Sequence, residues 1–371
     1  MFIQPCSSAL RIPALALALV AAAWSFTPAS GQERRADMPV TPATRDSVAL
    51  AAAETVEARY VFADKGAAAA RAVRQGVRAG RYRRLETASA LSDSLTADLR
   101  RGTGDKHLQV QFSATPRTAA PDAGLTAADS ARDLENAQWR NFGFHAVERL
   151  DGNVGYVEMG RFDNPELAAG ALATAMSFLA QTDALIIDLR NTGGGFAAME
   201  ALVTSYFIAE PRLLSTLHRR GGDTAHLWTP ARVAGPRYLD KPVYVLVSGR
   251  TFSAPEALAY DLQALGRAVV VGEQTRGGAN PGGWVMLGSH FAVGVPTARL
   301  ESAITHGNWE GVGVRPDMPV AAAGAKKAAH RAALQRLVAE NASAVRAPRW
   351  SEALAELRAD DARSASATAP Q

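Results

Sequence analysis

The sequence has one cysteine, Cys6, among 371 residues, and its positive and negative charges nearly cancel. A single cysteine excludes a fold that is held together by internal disulfides. The 40 basic and 36 acidic residues leave a net charge of +4, too small an excess to indicate a nucleic-acid partner without a clustered basic face. Hydrophobic residues make up 47% of the chain, which excludes a wholly disordered protein and predicts a large buried core.

The chain also lacks a long hydrophobic segment. The mostly apolar run from Ile12 to Phe26 is shorter than the roughly 20 residues that cross a bilayer as a helix. The small residues Ala29 and Gly31 then fit a cleavage site before Gln32. We therefore predict a signal peptide over residues 1–31, with an uncleaved anchor as the alternative. The mature protein is expected to be periplasmic or secreted, without a stable membrane span.

Helical spacing dominates the next part of the chain. Residues 32–45 are polar and contain proline, as linkers do, whereas apolar residues between Ser47 and Leu99 recur three or four positions apart. We predict a linker and a small domain of two or three helices over residues 32–103. The polar segment from Thr115 to Gln138 predicts an excursion across the surface.

From Gly143 onward, strands alternate with helices. Ala184–Leu189 and Val243–Val247 are apolar runs typical of strands that are buried on both faces. Amphipathic segments such as Pro165–Ala180 lie between such strands. This alternation predicts an α/β fold with a mostly parallel sheet and crossover helices, which we assign to residues 104–320.

Two further segments have recognisable patterns. Trp284–Leu287 and Phe291–Val295 flank a short polar turn and predict a hairpin. Residues 321–371 predict an Ala-rich closing helix over Ala323–Ser343 and a disordered tail from Ala359 to Gln371.

Ser253 lies where a predicted buried strand meets a helix. It follows Val243–Val247 and precedes Ala254–Leu265, so backbone N–H groups without helical partners surround its hydroxyl. Such donors can stabilise an alkoxide or the oxyanion of a tetrahedral intermediate, which makes Ser253 a candidate nucleophile. Ser-Ala-Pro-Glu is also a capping box, in which Ser253 caps the helix and Glu256 reaches back. The residues alone leave both interpretations open.

The segment DLRNTGGGF, from Asp188 to Phe196, is a second strand-to-helix junction. Its glycines, Gly193–Gly195, allow the backbone to turn N–H groups toward a ligand. Gly193–Ala198 matches a dinucleotide pattern, G-x-G-x-x-A, but no phosphate-loop lysine and no suitable ribose-binding acid accompany it. A tight structural turn is the alternative, and we predict no cofactor.

A serine nucleophile needs a base, and the sequence offers seven histidines. None of them stands at a spacing typical of a metal site, so we predict no bound metal. Spacing alone does not choose the base among His107, His145, His218, His226, His290, His306 and His330.

Four blocks occur in a fixed order along the chain: DLRNTGGG from Asp188, TFSAPE from Thr251, VGEQTRGG from Val271 and WEGVGVRPD from Trp309. In sequence and order they resemble the C-terminal processing (tail-specific) serine proteases. The similarity is closest to the branch that contains tricorn core protease and the modules of interphotoreceptor retinoid-binding protein. It implies a crotonase/ClpP-like core of repeated strand-strand-helix turns behind the helical N-terminal domain.

The resemblance also implies a catalytic set. Ser253 corresponds to the family nucleophile. The lysine base of the processing branch would fall at Gly278, so the tricorn-like branch is the better guide. That branch implies His107 as the base and Glu310 as the carboxylate that orients it.

The remaining implied roles concern the oxyanion. The N–H of Ala254 and an N–H from Gly193 or Gly194 would form the oxyanion hole. Glu256 would serve either as the cap partner or as a polar support.

The resemblance stops short of the whole processing-protease architecture. Between Leu108 and Gly143 only about 35 residues remain, too few for the peptide-binding PDZ domain of processing proteases. We expect an exported serine endopeptidase acting on peptides or unfolded proteins. A non-catalytic module that binds an apolar ligand, such as a retinoid or lipid, is the alternative, and a nucleotide-dependent enzyme is a third. The distance between His107 and Ser253 distinguishes the first two.

Overall fold

The computed structural model describes residues 37–116, 127–340, 343 and 345–367, and the predicted signal peptide lies outside them. Its helices are α1 (Pro42–Arg59), α2 (Ala63–Arg78), α3 (Ala88–Thr103), α4 (Ala127–Trp139), α5 (Pro165–Leu179), α6 (Ala197–Ser205), α7 (Ala254–Ala264), α8 (Ala325–Glu340) and α9 (Ala347–Ala367). Its strands are β1 (Gln109–Phe112), β2 (Phe144–Leu150), β3 (Val154–Met159), β4 (Ala184–Asp188), β5 (Leu213–Arg219), β6 (Thr224–Trp228), β7 (Val243–Val247), β8 (Val269–Gly272), β9 (Gly282–Met286), β10 (Phe291–Pro296), β11 (Ala298–Ser302) and β12 (Met318–Pro319). Within the described part of the chain, no helix is long and apolar enough to span a bilayer.

The N-terminal region is helical, as predicted. Thr41 caps α1 by accepting the Thr44 N–H at 3.1 Å, and Gly104 ends α3 in a left-handed conformation with φ of 72°. Buried alanines and leucines join α1, α2 and α3 and pack them on one face of the three-stranded sheet β1–β10–β9. The segment between α3 and β1 carries His107, so this region sets the position of that side chain.

A six-stranded sheet forms the core, in the order β12–β8–β7–β4–β3–β2. Its strands are parallel except for β2, which is antiparallel to β3. Every residue of β4 and β7 is buried, because α5, α6 and α7 cover one face of the sheet and α8 and α9 cover the other. The α/β fold class with a helical N-terminal region is therefore confirmed.

The carboxyl ends of β4 and β7 lie side by side, with Asp188 paired to Leu246. The two loops that follow these strands, residues 189–196 and 248–253, therefore emerge next to each other. In open parallel sheets, ligands and substrates bind at the carboxyl ends of the strands. The topology thus brings together the glycine-rich turn and Ser253.

Several elements were not identified from the sequence. The segment Thr115–Gln138, predicted as a surface excursion, is helical from Ala127 as α4, while residues 117–126 lie outside the described structure. Strands β5, β6 and β11 form a separate antiparallel sheet that the sequence analysis did not predict. The predicted hairpin is confirmed, since β9 and β10 pair with Val285 opposite Val293.

The prediction of a disordered tail from Ala359 is wrong as far as Ala367, because α9 continues to that residue. Trp350 anchors this helix: its side chain is buried, and its indole N–H donates to Asp183 at 3.1 Å. The residues that follow are mostly alanine, arginine and acidic residues. Alanine, arginine and glutamate have a high helix propensity, so the helix continues. Residues 368–371 lie outside the described structure.

Candidate active site

Ser253 stands at the junction of β7 and α7 with an unusual backbone conformation. Its φ is 65° and its ψ is −127°, whereas a residue that caps a helix normally lies in the β region. A non-glycine residue in such a conformation costs on the order of 1–3 kcal/mol and persists only where its surroundings hold it. Strain of this kind occurs at functional sites, so the geometry favours a role for Ser253 beyond capping.

Glu256 holds this junction together. Its Oε2 accepts the N–H groups of Ser253 at 2.7 Å and Gly278 at 2.9 Å. Its Oε1 accepts the Gly277 N–H at 2.6 Å and the Thr275 hydroxyl at 2.5 Å. Burial raises the pKa of Glu256, and these four hydrogen bonds oppose that rise by favouring the carboxylate. The carboxylate half of the capping box is therefore present, and it also ties α7 to residues 275–278.

His107 lies beside the Ser253 hydroxyl, with 3.1 Å between Nε2 and Oγ. Its ring contacts that of Phe252 at 4.4 Å between centroids with a tilt of 37°, and its backbone N–H donates to Asp105 Oδ1 at 2.9 Å. Burial lowers the pKa of His107 to about 4; the charges of Arg276 and Arg100 add to this effect and Asp105 opposes it. The imidazole is therefore neutral near pH 7, the state in which Nε2 can accept a proton.

Gly278, where the processing branch has its lysine, makes room for this histidine. A Cβ at position 278 would collide with the Phe252 ring and lie 2.8 Å from His107 Cε1. The imidazole and the phenyl ring thus occupy the space that a side chain at position 278 would need. The missing lysine and the histidine are two parts of one packing arrangement.

Two carboxyl groups lie behind the imidazole. Asp105 Oδ1 is 3.8 Å from His107 Nδ1, and one ligand atom each from Asp105, His107 and Glu310 lie within 4.8 Å of one another. The sequence analysis named Glu310 but not Asp105. The position of Asp105, two residues before His107, is the signal that could have found it.

The hydrogen bonds of the two carboxyl groups differ. Asp105 is buried, and its Oδ2 accepts from the Tyr60 hydroxyl at 3.2 Å and the Asn280 amide at 3.3 Å. Glu310 Oε2 accepts the N–H groups of Ala279 at 2.6 Å and Asn280 at 3.0 Å. Glu310 Oε1 is buried and has no hydrogen-bond partner among the described residues.

This environment sets the charge of Glu310. Burial, followed by the nearby charge of Asp105, raises the pKa of Glu310 to about 7. His107 Nδ1 also has no hydrogen-bond partner among the described atoms. An unpartnered ring nitrogen therefore faces two carboxyl groups, one of which changes its charge near neutral pH. The same three side chains have the donor types of a divalent-cation site.

The glycine turn lies against Ser253. A Cβ on Gly194, whose φ is 134°, would be 3.6 Å from Ser253 Cβ. The Phe252 N–H donates to the Thr192 carbonyl at 3.1 Å, and the Phe162 N–H donates to the Gly194 carbonyl at 3.2 Å. These two hydrogen bonds fix the turn from both sides.

The three predicted oxyanion donors lie on the glycine turn and at the first residue of α7. The N–H groups of Gly193, Gly194 and Ala254 make no hydrogen bond within the part of the chain that the structure describes. Gly193 has open space where a side chain would be. The loops thus present backbone donors next to the Ser253 hydroxyl.

Two models of known protein families match this chain. The model of peptidase family S41 matches residues 153–320, and the model of the N-terminal domain of peptidase S41 in eukaryotic IRBP matches residues 41–138. The two matches follow one another and together cover most of the chain. The chain belongs to peptidase family S41. This confirms the resemblance to the C-terminal processing proteases at the level of the family, which is a family of serine peptidases.

Individual relatives show how far the similarity extends. The carboxy-terminal-processing protease of Bartonella bacilliformis is 29% identical over 177 residues, which are 46% of this chain and 40% of that protein. The carboxyl-terminal-processing protease of a Synechocystis species is 30% identical over 165 residues, 44% of this chain and 37% of that protein. The chain thus matches less than half the length of these curated relatives.

The fold comparison covers more of the chain. The structure of a lipoprotein from Streptococcus agalactiae aligns with a TM-score of 0.54 and 12% sequence identity. It covers 81% of this chain and 99% of the lipoprotein. At this identity the likeness shows a shared fold and nothing about activity.

Proposed function

We propose that this chain is a serine peptidase that hydrolyses peptide bonds with Ser253 as nucleophile and His107 as general base. The observation that carries the proposal is the 3.1 Å distance between Ser253 Oγ and His107 Nε2, with the imidazole neutral near pH 7. His107 would take the hydroxyl proton as Ser253 attacks the carbonyl carbon. It would then give that proton to the leaving amine, and a water molecule would release the acyl group by the same route.

The oxyanion of the tetrahedral intermediate would lie between the two loops. The N–H of Ala254 and one from Gly193 or Gly194 are the donors proposed for it. They extend from positions that are fixed before the substrate binds, so little reorganisation opposes the reaction. Removing one such donor in other enzymes costs about 10²–10³ in kcat.

Two carboxyl groups would stabilise the imidazolium. Glu310 is the residue that the family resemblance implies, and its unpartnered Oε1 is available to His107 Nδ1–H. Asp105 is closer in the resting structure, at 3.8 Å, and its backbone contact with His107 orients the segment. We therefore assign an orienting role to Asp105 as well as to Glu310.

The alternative function, binding of an apolar ligand, has less support. A cavity beside Asp105 and Glu310 has a volume of about 320 Å³, which is near the lower end for small-molecule sites. Its lining includes Lys65, Asp105, Arg299 and Glu310, so a retinoid or lipid chain would leave charged groups without water. This cavity favours a polar ligand.

The setting of the proposed activity follows from the sequence. The signal segment at residues 1–31 supports an exported peptidase in the periplasm or outside the cell, where it would meet peptides or unfolded protein segments. We propose these as the substrates. Secretion of the full chain with the new N-terminus Gln32 would test the export part of the proposal, and recovery of the intact N-terminus in the membrane would count against it.

The activity itself is tested with a mixed peptide pool and Ser253→Ala. We expect the wild-type chain to cleave internal bonds and Ser253→Ala to lose at least about 10⁴-fold in kcat/KM. Circular dichroism should show the same fold for both proteins. Equal cleavage by both would remove Ser253 from the reaction.

A further inference from the structure

A positively charged rim lies next to Ser253 and His107. It consists of Lys106 and Arg276, which meet because the Lys106 ammonium donates a hydrogen bond to the Arg276 carbonyl. The Arg276 residue is exposed. Neither side chain forms an ion pair with a carboxylate in the part of the chain that the structure describes. Two cations at this position thus have no negative partner of their own.

The position of Arg276 is fixed relative to the reacting groups. Its backbone N–H donates to the Thr251 carbonyl at 3.1 Å, and its guanidinium lies 4.8 Å from the centre of the Phe252 ring. The Phe252 ring also contacts His107, at 4.4 Å, and Phe252 directly precedes Ser253. Only 7% of Phe252 is exposed, so the guanidinium is held at the surface beside the nucleophile.

The charge of Arg276 already acts on the site. It contributes to the lowering of the His107 pKa, which means that its field reaches the imidazole. A substrate bound at Ser253 would experience the same field. Exposed cations in a cleft attract groups of opposite charge, and an Arg guanidinium pairs well with a carboxylate.

We propose that Arg276, with Lys106 beside it, binds an acidic side chain of the substrate within two residues of the cleaved bond. The peptidase then prefers aspartate or glutamate near that bond over their neutral amides. This inference rests on the proposed peptidase function and adds the class of substrate. Arg276 acts in it as a specificity residue and takes no part in proton transfer.

The test uses pairs of peptides that differ only by Glu or Gln, at each of the two positions on either side of the cleaved bond. We expect the wild-type chain to show a ratio of kcat/KM, Glu over Gln, of about ten at one or more positions. Arg276→Gln should bring that ratio near one. Arg276→Glu should cleave a peptide with Lys at that position faster than the same peptide with Glu. Because each ratio is measured on one enzyme, a change in basal activity through the His107 pKa cancels.

The matched control is Arg315→Gln. Arg315 is also exposed, but its carbonyl accepts the Gln263 side-chain amide at the far end of α7. Its backbone lies about one helix length from Ser253, so the Glu/Gln ratio should equal the wild-type value. Raising the salt concentration from 0.05 to 0.5 M should reduce the wild-type ratio, since exposed charges are screened.

A Glu/Gln ratio of one at all four positions in an active wild-type enzyme would overturn the inference. An unchanged ratio in Arg276→Gln would do the same. Failure of the peptidase function itself would appear differently, as no cleavage of any peptide. In that case, the affinities of Ser253→Ala for the Glu and Gln peptides, measured by fluorescence anisotropy, decide the inference, and equal affinities contradict it.

Discussion

The two halves of the candidate site are built in different ways. Ser253 is held by Glu256 in the same helix turn, and Glu256 also accepts the N–H of Gly278 in the loop after the next strand. His107 follows the N-terminal helices and contacts Ser253, which lies 146 positions further along the chain. Asp105, beside His107, contacts Asn280, which lies 175 positions further along. The nucleophile half of the site, Ser253 and Glu256, is thus local in sequence, whereas the base half, His107 with Asp105 and Glu310, depends on how two regions pack together.

Because of this difference, we expect substitutions in the two halves to affect stability and activity differently. Changes in the base half should reduce the reaction while the α/β core stays folded, because His107 and Glu310 lie at its edge. Changes in the nucleophile half should affect both, because Glu256 accepts four hydrogen bonds inside the core. The predictions below test this contrast in order of decreasing effect.

The largest effect is expected for His107→Gln. Loss of the general base should reduce kcat/KM about 10³–10⁴-fold, while the free energy of unfolding changes little. Steady-state kinetics and urea unfolding measure the two quantities. Adding Ser253→Ala should cause almost no further loss, since the two residues act as a unit. A loss below tenfold would show that His107 is not the base.

Gly278→Ala should displace the imidazole without removing it. The new methyl group would collide with Phe252 and lie 2.8 Å from His107 Cε1, so kcat/KM should fall about 10²-fold through misalignment. Gly249→Ala is the matched control, because no atom lies within 4 Å of a Cβ at that position. Comparable activity of the two variants would contradict the packing relation between Gly278 and His107.

Glu256→Gln tests the nucleophile half. The amide cannot accept four hydrogen bonds as a carboxylate does, so we expect a loss of about 2–3 kcal/mol in the free energy of unfolding, together with reduced activity. Glu148→Gln, an exposed carboxylate paired with Lys326 on the surface, should change stability by less than about 0.5 kcal/mol. If both variants were equally stable, the role of Glu256 in holding the junction would be wrong.

The smallest effect concerns pH. Glu310, with its pKa raised to about 7, is mostly neutral below that pH and charged above it. Its charge would stabilise the imidazolium, so kcat/KM should rise severalfold as the pH increases through 7. His107, with a pKa of about 4, adds no limb between pH 5 and 8.

Glu310→Gln should flatten the profile around pH 7, whereas Glu301→Gln, at a half-buried carboxylate paired with Arg299, should leave it unchanged. The free energy of unfolding should depend on pH in the opposite direction. Because the folded-state pKa of Glu310 is raised, the contribution of this group to the free energy of unfolding is present below the unfolded pKa of about 4.5 and is lost as the pH rises through 7. A limb near pH 7 that persists in Glu310→Gln belongs to another group.

The sequence analysis succeeded where local pattern determines structure. The buried strands β4 and β7 and the helix α7 were predicted because continuous apolar runs and a capping box are strong local signals. These elements alone place Ser253 beside the glycine turn. The antiparallel strands β5, β6 and β11 were missed because half-exposed strands of five to seven residues have weak patterns.

The base half of the site could not be predicted from local sequence patterns. Among seven histidines, only the resemblance to a family selected His107, since sequence spacing says nothing about contacts 146 positions apart. Asp105 was overlooked because a single aspartate near a histidine is common, and only the fold shows that it is buried beside the ring. The positive φ of Ser253 likewise cannot be read from the residue type.

The account depends most on activation of the Ser253 hydroxyl by His107. The direct test is the rate at which a serine-reactive fluorophosphonate labels the chain at pH 7, with the labelled residue located by mass spectrometry. We predict labelling at Ser253 in the wild type, a rate at least about 10²-fold lower in His107→Gln, and none at this position in Ser253→Ala. Labelling of another residue, or equal rates in the wild type and His107→Gln, would contradict it.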